Sequence, residues 1–80
     1  MFYSNNTAQI DIHGMTVDMA RIELTKLLSR LNDNIKQVKI IHGYRGGQAL
    51  MNLVRYEFRH PRLIDIKYTD NYGETLYILE

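Results

Sequence analysis

Apolar and polar positions alternate from Ala8 to His13, with Ile10 and Ile12 on one side and Asp11 and His13 on the other. That period of two predicts a half-buried strand, and Gly14 ends it. Thr16 then stands as an N-cap, with Asp18 in the first turn against the positive end of the helix dipole. Val17, Ala20, Leu24, Leu27, Leu28 and Leu31 recur at helical spacing, and the turn-forming cluster Asn32-Asp33-Asn34 stops the helix. Val38–His42 is a second apolar, β-branched run, which predicts a buried strand. Leu50, Leu53, Val54 and Phe58 mark a second helix that His60-Pro61 must close, because the residue before proline avoids helical backbone angles. Leu63–Tyr68 alternates with Ile64, Ile66 and Tyr68 inward. After the turn at Asp70-Asn71-Tyr72-Gly73, Thr75–Leu79 forms a last strand with Leu76 and Ile78 inward.

The order βαβαββ predicts an α/β fold, a two-layer sandwich of a four-stranded mixed sheet with two helices on one face. The first two strands pair in parallel and the last two form an antiparallel hairpin. The uncovered face is expected to carry Asp11, His13, Lys39, Ile41, Asp65, Lys67, Thr75 and Tyr77. Residues 1–7 read as a flexible N-terminus, and residues 8–80 as a single domain.

Composition narrows the function classes. Eighty residues suit one domain. No apolar run approaches the roughly 18–20 residues that span a bilayer, so no membrane partner is expected. The absence of cysteine excludes disulfides, thiolate nucleophiles and cysteine-bound zinc, and fits a reducing, cytoplasmic compartment. The net charge of +1 hides an asymmetry: residues 36–62 carry six Lys or Arg against Glu57 alone. A basic segment of this kind can steer a polyanion, or can be an ordinary solvated surface.

Three stretches carry candidate chemistry. Asp11 and His13, two apart on a strand, project to one face roughly 7 Å apart at their backbones. An aspartate so placed can fix the imidazole tautomer and raise its basicity for acid–base work, or can serve only to order the strand-to-helix turn. The loop His42-Gly43-Tyr44-Arg45-Gly46-Gly47-Gln48 lies between a strand and a helix. Its glycines let backbone N–H groups approach an anion, Arg45 offers a planar fork for phosphate, and Tyr44 can stack on a base. It lacks the Gly-Lys-Ser/Thr of a P-loop, and its glycines can equally mark a tight turn. Arg55 and Arg59, four apart, share a helix face and could extend a cationic track, as could Lys39 and Lys67 on the sheet. No cofactor is implied, and no spacing such as His-x₃-His argues for a metal.

Ile10-Asp11-Ile12-His13-Gly14 resembles the Leu-Asp-Leu-His-Gly signature of the Smr (small MutS-related) domain family. Ile40-Ile41-His42-Gly43 with the glycines after it is similar to that family's second signature, and Tyr72-Gly73-Glu74-Thr75 to its closing strand. Arg45 stands where many members carry a second loop glycine. The resemblance implies the βαβαββ sandwich, nucleic-acid binding and, in several members, endonuclease activity. It implies a cleavage role for Asp11 and His13, and a binding role for Gly43 and Gly47. The expected function is nucleic-acid binding, with RNA favoured over DNA and a ribosome-like particle as a possible target. The alternatives are a metal-independent endonuclease, with His13 as base and His42 as general acid or phosphate anchor, and a protein-interaction domain.

Overall fold

The parallel pair expected from the two β-branched runs forms the middle of the sheet. The computed structural model describes residues 6–45 and 48–80 throughout and Phe2–Ser4 in its backbone. β2 (Thr7–Asp11) lies parallel to β3 (Gln37–Ile41), with Ala8 beside Val38 and Ile10 beside Ile40. α1 (Val17–Arg30) joins them. It begins as the sequence predicts: the Thr16 hydroxyl accepts the Met19 N–H at 3.1 Å, filling one of the donors that a first helical turn leaves open. β4 (Leu63–Tyr68) and β5 (Glu74–Leu79) form the antiparallel hairpin, and β5 inserts between β3 and β4. β1 (Phe2–Ser4), in the stretch read as a flexible N-terminus, adds a short fifth strand antiparallel to β2 at the sheet edge.

Both helical segments cover one face of the sheet. Ala20, Leu24, Leu27 and Leu28 of α1 meet Ala8, Ile12, Val38 and Ile40 of the sheet in one buried cluster, which Leu53, Val54 and Phe58 complete. The C-terminal end of α1 is closed from a distance. The Arg62 guanidinium donates to the carbonyls of Leu28, Leu31, Asn32 and Ile35, at 3.0, 2.7, 3.3 and 3.3 Å. The last carbonyls of a helix have no partners within it; the fork serves two of them, Leu28 and the capping Leu31, and ties down the two carbonyls that follow.

Two features depart from the pattern. The second helix is α-helical only over α2 (Ala49–Asn52) and continues as a π-helical turn over Leu53–Glu57. It is closed by the Phe58 N–H donating to the Leu53 carbonyl at 2.8 Å. The inward side of β5 is also the reverse of the expected one. Thr75, Tyr77 and Leu79 are buried, while Leu76 and Ile78 are half-buried on the open face. Tyr77 therefore offers no stacking surface to a ligand. Its ring stacks on Phe58 at 5.9 Å, and its hydroxyl donates to the Val54 carbonyl at 2.7 Å. Burial pushes that phenol's pKa well up. On β4, Ile66 falls on the helix side opposite Tyr77 and is half-buried as expected, whereas Tyr68, opposite Thr75, and Ile64, in a register shift, are both exposed.

Replacing Tyr77 by Phe keeps the stack and leaves the Val54 carbonyl without its donor in the core. Urea unfolding of Tyr77→Phe is expected to show a loss of about 1–3 kcal/mol, the usual cost of orphaning a buried polar group. An unchanged midpoint would mean that the hydroxyl bond contributes nothing.

Candidate functional site

The carboxyl ends of β2 and β3 finish side by side. The Ile12 N–H donates to the Ile41 carbonyl at 2.8 Å, carrying the ladder one step beyond β2. Gly14, at φ +81°, then turns the chain towards α1. Gly43, at φ +75°, turns the other chain, and a Cβ built on it would lie 3.6 Å from that of His13. Space would allow a methyl group there, but the left-handed backbone favours glycine. The β4–β5 turn closes over both. The Gly73 carbonyl accepts the N–H groups of His42 and Gly43 at 2.8 and 2.9 Å. A Cβ on Gly73 would lie 3.2 Å from the Asn71 side-chain oxygen, which would have to give by a few tenths of an ångström, and in ordinary contact with the Gly43 backbone at 3.4 Å.

On this rim Asp11 and His13 form the pair expected of them. One carboxylate oxygen of Asp11 accepts the His13 backbone N–H at 3.0 Å and the ring Nδ1–H at 2.6 Å. The hydrogen bond from His13 holds the Asp11 carboxyl below its usual range, against the opposing effect of burial. An Nδ1–H committed to a carboxylate leaves Nε2 of the neutral ring with its lone pair. With 69 % of the His13 side chain and 48 % of the Asp11 side chain exposed, that nitrogen is open to a ligand.

His42 is different, and its expected role as general acid or phosphate anchor is not supported by its position. It shares the inward parity of Val38 and Ile40 and is 3 % exposed. Its Nδ1–H donates to the Gly43 carbonyl at 2.8 Å. Its Nε2 accepts from the Thr75 hydroxyl at 2.9 Å, and that hydroxyl in turn accepts the Arg55 Nε–H at 2.8 Å. A neutral imidazole, protonated on Nδ1, completes this chain. Burial lowers the His42 pKa, and the Arg55 charge lowers it further, against the Gly43 hydrogen bond and the Glu74 charge. Arg55 is likewise no free cation for a ligand. It also donates to the Glu74 carbonyl at 3.2 Å and lies 4.2 Å over the Tyr68 ring.

The remaining predicted residues divide. An open cleft of about 650 Å³ runs along the rim, lined by His13, Gly14, Met15, Ile41, Gly43, Tyr44, Arg45, Ala49, Leu50, Asn71 and Gly73, with the edge of His42 at its floor. Its size is that of ordinary ligand clefts. Tyr44 and Arg45 are exposed there, and Gln48 is exposed at the start of α2. Gly46 and Gly47 lie outside the described residues. Lys39 is half-buried on the open sheet face, two residues back along β3 from Ile41, and Lys67 is exposed on the same face across Leu76. Arg59 lies elsewhere, on a groove formed with Pro61, Ile64 and Asp65. Among the described residues, no three His, Asp or Glu side chains converge as metal ligands.

Asn71 and Gly73 line this cleft and Tyr72 flanks it, its ring against that of Tyr44; none of the three was singled out as a site residue in the sequence. The order that brings their turn to the glycine loop, with β5 between β3 and β4, is not written in any local pattern.

A two-layer α/β domain with an Asp-x-His pair and a glycine loop at one rim defines a class. The Smr domain model matches residues 10–72, and the chain belongs to the Smr domain family, known for nucleic-acid binding and endonuclease activity. The crystal structure of the Smr domain of Thermus thermophilus MutS2 is similar, with a TM-score of 0.79 and 23 % identity over 91 % of this chain and 98 % of that one. Comparison with curated proteins gives no match.

The neutral His42 makes stability depend on pH. Its folded pKa lies below the unfolded value of 6.5, so in the window between them the unfolded chain holds a proton that the fold excludes. Its contribution is complete above about pH 6.5 and is lost as pH falls through that window. Urea midpoints at pH 7.5 and 5.5 should therefore fall further in the wild type than in His42→Asn. His60, whose pKa is also lowered by burial, acts alike in both proteins and cancels from the difference.

Proposed function

We propose that this domain binds RNA in the cleft between His13 and the Gly43–Arg45 loop. The observation that carries the reading is the meeting, on one rim, of an exposed imidazole oriented by a carboxylate, an exposed guanidinium and an exposed tyrosine. A guanidinium suits a phosphate, and an aromatic ring suits a base.

The favoured nucleic acid is RNA because of what the pair can act on. An imidazole with one free lone pair is a base in want of a nucleophile, and ribose carries one in its 2′-OH. The exposed pair favours a second reading, cleavage. His13 Nε2 takes the 2′-OH proton, O2′ attacks phosphorus, and the 5′-oxygen leaves with a proton from water. The products are a 2′,3′-cyclic phosphate and a 5′-hydroxyl end. Asp11 stabilises the imidazolium so formed, and Arg45 stands at the cleft to meet the charge on the phosphorane.

The electrostatic contribution is modest. Of the basic residues between 36 and 62, Arg55 and Arg62 are committed inside the fold and Arg59 faces another groove. Lys36 precedes β3, at the opposite end of that strand from the cleft. Arg45 on the cleft and Lys39 behind Ile41 remain, which gives one or two phosphate contacts. For single-stranded RNA, log K should fall by roughly 0.7–1.4 per log unit of salt, and Arg45→Gln should reduce that slope by about 0.7. In EDTA, His13→Ala should lower cleavage of a labelled RNA by about 10²–10⁴-fold while leaving the affinity nearly unchanged. Affinity insensitive to both salt and Arg45 rejects the binding site, and equal cleavage by His13→Ala rejects the base.

A further inference from the structure

We infer that the cleft selects an unpaired nucleotide, whose base stacks on an aromatic wall made by Tyr44 and Tyr72. The inference rests on the RNA-binding reading above and names what that site recognises.

Tyr44 comes from the loop after β3, and Tyr72 from the β4–β5 turn. Their rings meet edge to face, with centroids 6.4 Å apart and planes at 74°. Neither is sunk into the core: Tyr44 is 50 % exposed and Tyr72 is 74 % exposed. A tight turn ordinarily carries small polar residues, whereas here it carries a ring that is mostly in water and packs only by an edge-to-face contact with Tyr44. In an edge-to-face pair, the ring that offers its edge keeps both faces clear of its partner.

The wall is also held in place. The Asn71 side-chain oxygen accepts the Gly73 N–H at 2.8 Å, and the Asn71 carbonyl accepts the Glu74 N–H at 3.2 Å. The Thr69 hydroxyl accepts the Asn71 N–H at 3.2 Å and donates to Glu74 Oε1 at 3.0 Å. Through the Gly73 carbonyl the turn is fastened to the very loop that carries Tyr44. Little backbone freedom is left to lose when a ligand arrives, so stacking energy is not spent on ordering the turn. With its oxygen engaged, Asn71 keeps its amide N–H₂ for an acceptor on the cleft side, such as a base carbonyl or ring nitrogen.

Magnitudes separate a single strand or bulge from a duplex. A duplex hides its base faces and is held chiefly through phosphates, for which this rim supplies one or two cations. An unpaired base stacked on an aromatic ring gains a contribution large enough to change affinity about 5- to 100-fold. Recognition here must therefore lean on the base face.

Three RNAs test this: a single strand, a perfect hairpin, and the same hairpin with one bulged adenosine. The wild type should bind the single strand and the bulged hairpin more tightly than the perfect one. Tyr72→Ala should weaken those two by about 5- to 100-fold and change the perfect hairpin less than about twofold, while Tyr72→Phe keeps wild-type affinity. As a readout that needs no variant, the Tyr44 and Tyr72 ring protons should shift upfield in NMR spectra on adding the bulged hairpin and not the perfect one. If Tyr72→Ala weakens all three equally or none, or the ring protons do not move, while Arg45→Gln still reduces binding, the aromatic wall is wrong and the cleft stands. If the wild type binds none of the three, the RNA-binding reading fails and this inference with it.

Discussion

The carbonyl of Gly73 is the point on which the rest of the rim depends. It takes two consecutive N–H groups, those of His42 and Gly43, and so joins the β4–β5 turn to the chain leaving β3. Beneath it, the neutral His42 grips the next carbonyl, that of Gly43, and is itself held by Thr75 and Arg55. Three segments distant in sequence are thereby locked into one surface. A buried polar network is worth having only when every member is satisfied, and no buried side-chain nitrogen or oxygen among the described residues lacks a partner. The exposed pair on β2 borrows its setting from this assembly, since Gly43 comes close enough to His13 that a side chain added there would touch it.

The arrangement sets a reactive side chain apart from the groups that hold it. His13 and His42 follow parallel strands to the same end of the sheet, yet they differ by one step of parity. Ile10 and Ile12 face the helices, so Asp11 and His13 face away from them. Val38 and Ile40 face the helices, and His42 continues their side. The first imidazole stands exposed where it can meet a substrate, while burial holds the second uncharged, keeping the loop in shape. Two histidines with similar motifs around them thus have opposite duties.

Much of this was legible in the residues. The strand-helix-strand unit, the Thr16 cap, the hairpin and the Asp11–His13 contact all follow from short-range periodicity and spacing, which local physics dictates. The parity of His42 could also have been drawn from Val38 and Ile40, but its likeness in type to His13 suggested a shared task. The inward side of β5 could not be drawn in this way. Thr75, Leu76, Tyr77, Ile78 and Leu79 are nearly all apolar in body, and a central strand bears such residues on both faces. The local excess of positive charge misled for a related reason. Arg55 and Arg62 were counted as surface, whereas their forked donors reach backbone carbonyls and a hydroxyl that only the folded chain assembles. The placing of Tyr72 beside Tyr44 depends on strand order, a long-range property that no window of sequence contains.

The π-helical turn has a consequence for how the domain can change. In an α-helix the Val54 carbonyl would receive the N–H of residue 58, but Phe58 reaches back to Leu53 instead, and the vacated acceptor goes to the Tyr77 hydroxyl. One surplus residue in the coil has in effect been traded for a rivet between layers. Excising it would let the coil tighten and reclaim its own acceptor, stranding the phenol beneath. Insertions and deletions are therefore barred from this stretch unless the facing strand changes with it, and the two layers must evolve as one part.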